Sequence, residues 1–139
     1  MTRLGIRLLS LVLPLIILGI VGCGSSRQLQ SVTLSPATAD AQSFPNGQVQ
    51  FTATGTYSSS PSPVQLTSQD VMWCVGSTSG LCVGNVSPGA TVNQNGLAQC
   101  VPGFAGTVTI LAGTASSVMM IPDTGSQLTV FGAAQMTCP

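Results

Sequence analysis

From Gln30 onward, apolar residues alternate with polar ones, and no stretch repeats them at the three-to-four spacing of an amphipathic helix. Val49, Phe51, Ala53 and Tyr57 fall on one face of an extended chain, and Gln50, Thr52, Thr54 and Thr56 on the other. That is the pattern of a half-buried strand. Val71, Trp73 and Val75 repeat it, as do Val108, Ile110 and Ala112. Val32 and Leu34 predict a first strand stopped by Pro36, and Leu128 and Val130 a last one. Turn chemistry separates these runs at Pro45-Asn46-Gly47, Ser60-Pro61-Ser62-Pro63, Asn95-Gly96 and Pro122-Asp123. Several short alternating strands with turns between them predict an all-β, antiparallel β-sandwich. Trp73, the only tryptophan, is the expected anchor of its core. Cys74 then faces the other way, so a disulfide from it is expected across the outside or a rim.

The segment before this pattern is different. Met1–Arg7 carries Arg3 and Arg7, and Leu8–Val21 is nearly all aliphatic, broken by Ser10, Pro14 and Gly19. A basic start, a short apolar stretch and small residues at its end make a secretory leader. About fourteen apolar positions fall short of the roughly 20 a membrane helix needs, and Pro14 weakens a helix further. The closing residues Ile20-Val21-Gly22-Cys23 resemble the lipobox of bacterial lipoproteins. The resemblance implies cleavage before Cys23 and acylation, palmitate included, of Cys23 itself. An uncleaved anchor and an ordinary signal cut elsewhere are the rival readings, but no Ala-x-Ala pattern offers another cut. Gly24 rather than Asp after the cysteine implies, by the same resemblance, the outer membrane of a diderm cell. The expected organisation is a signal peptide over 1–22, a lipidated tether over 23–30 and a sandwich domain over 31–139.

Composition narrows the function. Past the leader the only basic residue is Arg27 and the acids are Asp40, Asp70 and Asp123, with no Lys, Glu or His. Nucleic acid is therefore not an expected partner, because phosphate contacts need Lys and Arg. No base is positioned for general acid–base or nucleophilic chemistry, so no catalytic residue is expected. Gly76-Ser77-Thr78-Ser79-Gly80 has the outline of a nucleophile elbow with Thr at its centre, and reads as a turn. Asn85-Val86-Ser87 fits a glycosylation acceptor, which in a bacterial envelope reads as chance. Three scattered Asp residues do not define a calcium site, and no metal or other cofactor is expected.

There are five cysteines, an odd number for an exported chain. Assigning Cys23 to the lipid leaves Cys74, Cys82, Cys100 and Cys138, an even set that predicts two disulfides in an oxidising compartment. Of the three possible pairings, Cys74–Cys82 and Cys100–Cys138 are expected, the second clipping the C-terminal tail to the sandwich. Free thiols are the alternative; zinc would need close Cys-x-x-Cys pairs, which are absent.

Read in order, the blocks resemble the bacterial Ig-like domain of group 2, the type found in intimin and invasin stalks. They are Val32-Thr33-Leu34-Ser35-Pro36-Ala37, Asn46–Gly55, Val71-Met72-Trp73, Ala90-Thr91-Val92 with Asn95-Gly96-Leu97-Ala98, Gly106–Ile110 and Leu128-Thr129-Val130. The resemblance spans about residues 30–131 and implies an Ig-like sandwich of about seven strands serving adhesion or a structural spacer role. The family usually runs in tandem, whereas this chain has one copy, and the four cysteines are not part of its pattern.

The expected protein is thus a non-enzymatic, lipid-anchored envelope module. Two rival readings are an accessory subunit of a secretion or transport complex and a carbohydrate-binding module. The first rival would use an apolar contact patch, for which Met119, Met120 and Ile121 are candidates. The second would need exposed aromatics, drawn from Tyr57, Trp73 and four Phe. Neither a protein nor a glycan partner can be named from the residues.

Overall fold

The computed structural model describes residues 26–84, 89–121 and 125–139, the side chains of 84 and 116–121 excepted. Among these residues the chain forms eleven strands. They are β1 (Leu29–Ser35), β2 (Thr38–Asp40), β3 (Gln48–Gln50), β4 (Thr52–Tyr57), β5 (Val64–Leu66) and β6 (Met72–Gly76), followed by β7 (Leu81–Gly84), β8 (Ala90–Val92), β9 (Leu97–Cys100), β10 (Gly106–Ile121) and β11 (Gly125–Cys138).

The predicted run through Val49, Phe51 and Ala53 is two strands joined at Phe51. The Phe51 N–H donates to Gly96 O at 2.9 Å, and the Gln50 side-chain amide donates to Phe51 O and Asn95 O. Backbone groups at the junction are thereby satisfied outside a ladder. On one side of this joint β3 pairs antiparallel with β9; on the other, β4 pairs antiparallel with β1 and β5. With β8 beside β9, one run of chain unites both ladders into a single layer. The second layer sets β10 between β6 and β11. Pro36 does end β1, and the chain then crosses over so that β2 pairs in parallel with β11, Thr38 opposite Gln135. Apart from β2, β5 and β7, the pairings run β1–β4/β3–β9–β8 and β6–β10–β11, a largely antiparallel, sandwich-like arrangement. The seven expected strands become eleven because the first two are each split and β5 and β7 are added.

The inner faces bury Val32, Leu34, Val49, Phe51, Ala53, Trp73, Val75, Val92, Ile110, Ala112 and Met136 in one core. Trp73 is 5% exposed and stands opposite Ala112 on β10. Its ring lies so close to the Asn93–Leu97 turn that a Cβ at Gly96 would meet it at 2.8 Å and Phe51 O at 2.5 Å. Gly96 also has φ +78°, so glycine is required there twice over.

β11 continues past Val130 to Cys138. Gly132, Ala134, Met136 and Cys138 are buried in alternation, so the expected tail is the second half of the last strand. At the other end β1 starts at Leu29, two residues inside the expected tether.

The outer face of β6 corrects one expectation. Cys74 does point away from Trp73, but it is fully buried, in a second cluster with Cys82, Leu111 and Leu128 that Phe131 packs against. What covers it is a ring of strands. β7 pairs with both β6 and β11, and β10 pairs with both β6 and β11, so the four close on themselves. Leu128, predicted in one strand with Val130, belongs to this smaller core, whereas Val130 packs against the main one.

Candidate functional site

Two poles of the sandwich carry its distinctive chemistry. At the first, Arg27 lies 3.7 Å from the centroid of the Tyr57 ring and donates to Pro61 O. Gln28 and Ser58 bond reciprocally, Gln28 N to Ser58 Oγ at 3.0 Å and Ser58 N to Gln28 O at 2.9 Å. The chain is therefore fastened to the fold from Arg27 onward. Cys23 and the 1–22 leader lie outside the described residues.

The four remaining cysteines pair as expected. Cys74–Cys82 joins β6 to β7, with Cα atoms 5.6 Å apart. Cys100–Cys138 joins the end of β9 to the end of β11, with Cα atoms 5.8 Å apart, and so bridges the two layers. Trp73 serves the core. Met119, Met120 and Ile121 belong to β10 by their backbone, with Met120 opposite Ser126 and Ile121 opposite Gly125. The apolar segment thus extends a strand, and its side chains lie outside the described residues.

The charged groups organise turns. Asp40 Oδ1 accepts from Gln42 N at 3.0 Å. Asp70 Oδ2 accepts from Thr67 N at 2.8 Å and Thr67 Oγ1 at 2.7 Å, and these bonds, the backbone one foremost, hold its carboxyl below the ordinary aspartate range. Asp123 and the Asn85-Val86-Ser87 triplet lie outside the described residues. In the Gly76–Gly80 segment Ser77 N donates to Leu81 O and Gly80 N to Ser77 O, making it the turn between β6 and β7.

At the second pole the 41–47 and 101–104 turns form a groove of about 360 Å³ that the sequence reading did not single out. Phe44 and Phe104 are half-buried and pack against the main core. Between them the groove is lined by Gln42, Asn46, Gln99 and Pro102, and no ionisable side chain among the described residues lines it. Gln48 Nε2 donates to Gln99 Oε1 at 3.3 Å, holding that amide at the rim. A signal was available: Phe44 and Phe104 sit outside the alternating runs, next to Pro45 and to Pro102-Gly103, where a ring is half-wet.

Compared with known proteins, the chain matches no family model and no curated sequence.

Proposed function

We propose that the protein is a non-enzymatic lipoprotein of the cell envelope, in which an Ig-like module is held to the membrane by acyl chains on Cys23 and serves adhesion or a structural spacer role. The observation that supports this is the accounting of cysteines. Cys74, Cys82, Cys100 and Cys138 are all in disulfides, which form in exported proteins. Of the five, only Cys23 is left over, and it stands where the lipobox resemblance implies acylation. Each buried CH₂ of an acyl chain contributes about 0.8 kcal/mol, so two or more chains hold the protein firmly.

Only three residues separate Cys23 from Arg27, a reach of about 14 Å when extended. On this reading the Tyr57 pole stands against the membrane. In a diderm cell the membrane is the outer one. The sparse charge agrees with a tethered protein, since low net charge favours self-association of a free one.

The test is mass spectrometry of the N-terminal peptide from membranes. The expected species begins at Cys23 and carries acyl groups, and Cys23→Ala accumulates unprocessed or mislocalised precursor. An unmodified N-terminus elsewhere would sink the proposal.

A further inference from the structure

We propose that the groove between Phe44 and Phe104 is a binding site for a neutral saccharide, presented away from the membrane; the orientation rests on the anchoring proposed above, the site itself does not.

The position follows from strand direction. β1 begins and β4 ends at the Tyr57 pole, where Arg27 fastens the tether. The run from Gln48 to Tyr57 spans the sandwich, and at about 3.3 Å per residue it separates its ends by about 30 Å. The groove is at the Gln48 end: Asn46 and Gly47 lead into β3, Gln99 and Cys100 close β9, and Pro139 follows β11. The Cys100–Cys138 bridge ties the two layers together beside it. A ligand site built there sits on a pole that the tether does not cover and that the disulfide keeps from splaying.

The chemistry selects the ligand class. Two phenyl rings offer apolar faces on which the C–H face of a sugar ring can lie. Three primary amides, on Gln42, Asn46 and Gln99, each supply both donors and an acceptor, as a ring of hydroxyls requires. Because Gln99 Oε1 already accepts from Gln48, its NH₂ group is the donor it presents. Among the described residues that line it there is no Arg or Lys, so an anionic sugar or a phosphate finds no cation to pair with. The volume lies within the roughly 300–1,000 Å³ of small-molecule sites.

The experiment uses the full acylated protein in a zwitterionic, sugar-free detergent. Maltohexaose, cellohexaose and chitohexaose are titrated in a calorimeter, with a proline-rich decapeptide as the protein-like probe. At least one hexasaccharide is expected to bind. Gln42→Ala and Gln99→Ala, both at exposed positions, should each weaken it about tenfold with the thermal midpoint unchanged. Phe44→Ala should weaken it at least as much, and Gln65→Ala on the exposed face of β5 should leave it as it is. The proposal is overturned if no hexasaccharide binds, if binding survives Gln42→Ala and Gln99→Ala, or if the peptide alone binds. Saccharide binding by a protein whose Cys23 proves unacylated would uphold the site and overturn only the anchoring.

Discussion

Trp73 and Cys74 are consecutive in β6, yet they pack into different cores: Trp73 between the two layers, and Cys74 with Cys82, Leu111 and Leu128 on the opposite face. At these two central positions β6 is buried on both faces, although Met72 at its start is exposed. Truncating either residue therefore costs packing, but in separable places.

Trp73→Ala should remove the largest side chain of the main core. The expected loss is about 3–5 kcal/mol, measured by denaturant unfolding. Leu128→Ala in the smaller cluster should cost about 2–5 kcal/mol. Because the clusters share β6 and β10, we expect the double variant to unfold in a single transition; two transitions would mean that the ring of β6, β7, β10 and β11 is a separate cooperative unit.

Gly96→Ala should destabilise more than a surface substitution, by about 1–3 kcal/mol. Its Cβ would press on Phe51 O and the Trp73 ring, at a backbone angle of φ +78° that suits glycine. Gly47→Ala has a similar angle, φ +64°, with open space around it, and should cost about 1 kcal/mol or less. Equal losses at the two sites would show that close approach to Trp73 is not what selects glycine at 96.

Peptide mapping without reduction should recover Cys74 linked to Cys82 and Cys100 linked to Cys138. Replacing both Cys100 and Cys138 by Ser should cost about 2–4 kcal/mol, and more than replacing the Cys74–Cys82 pair, since the loop it closes is longer, 38 residues against 8.

Asp70 gives a small pH dependence with a defined sign. Its carboxyl is held below the ordinary range by hydrogen bonds that exist only in the folded protein, so the unfolded chain takes up the proton first. The stabilisation is present above the unfolded pKa, near 3.9, and is lost as pH falls through the folded value. Exposure limits it to a few tenths of a kcal/mol. Asp70→Asn should therefore lower stability by that small amount at pH 7 and flatten the profile as pH falls below about 4, converging with the unsubstituted protein in acid.

Much of this fold was legible because alternation survives wherever the inward residues are large. Val32, Leu34, Val49, Trp73, Val75 and Ile110 could be placed on their faces by residue type alone. The second half of β11 was not, because its inward residues include Gly132 and Ala134, which carry little hydrophobic contrast. The break at Phe51 was hidden for another reason: the strand keeps its alternation across the joint while its backbone partners change from β9 to β1. The burial of Cys74 depended on a cover that draws in Leu111 and Leu128, 37 and 54 positions downstream, which local pattern does not encode. Of the groove, the rings of Phe44 and Phe104 were visible as misfits to the alternation, whereas their place on one groove is a product of topology.

The ring of strands also protects the protein from itself. In an open sheet, β6 would present an unpaired row of backbone donors and acceptors, an invitation to strand exchange with another molecule. Soluble proteins commonly discourage that with lysines or other charges along such an edge, a resource nearly missing from this composition. Here β7 covers part of β6 and is itself taken up by β11, while β2 lies along part of β11. Two short strands thus do at this edge, by backbone pairing, what electrostatic repulsion does elsewhere.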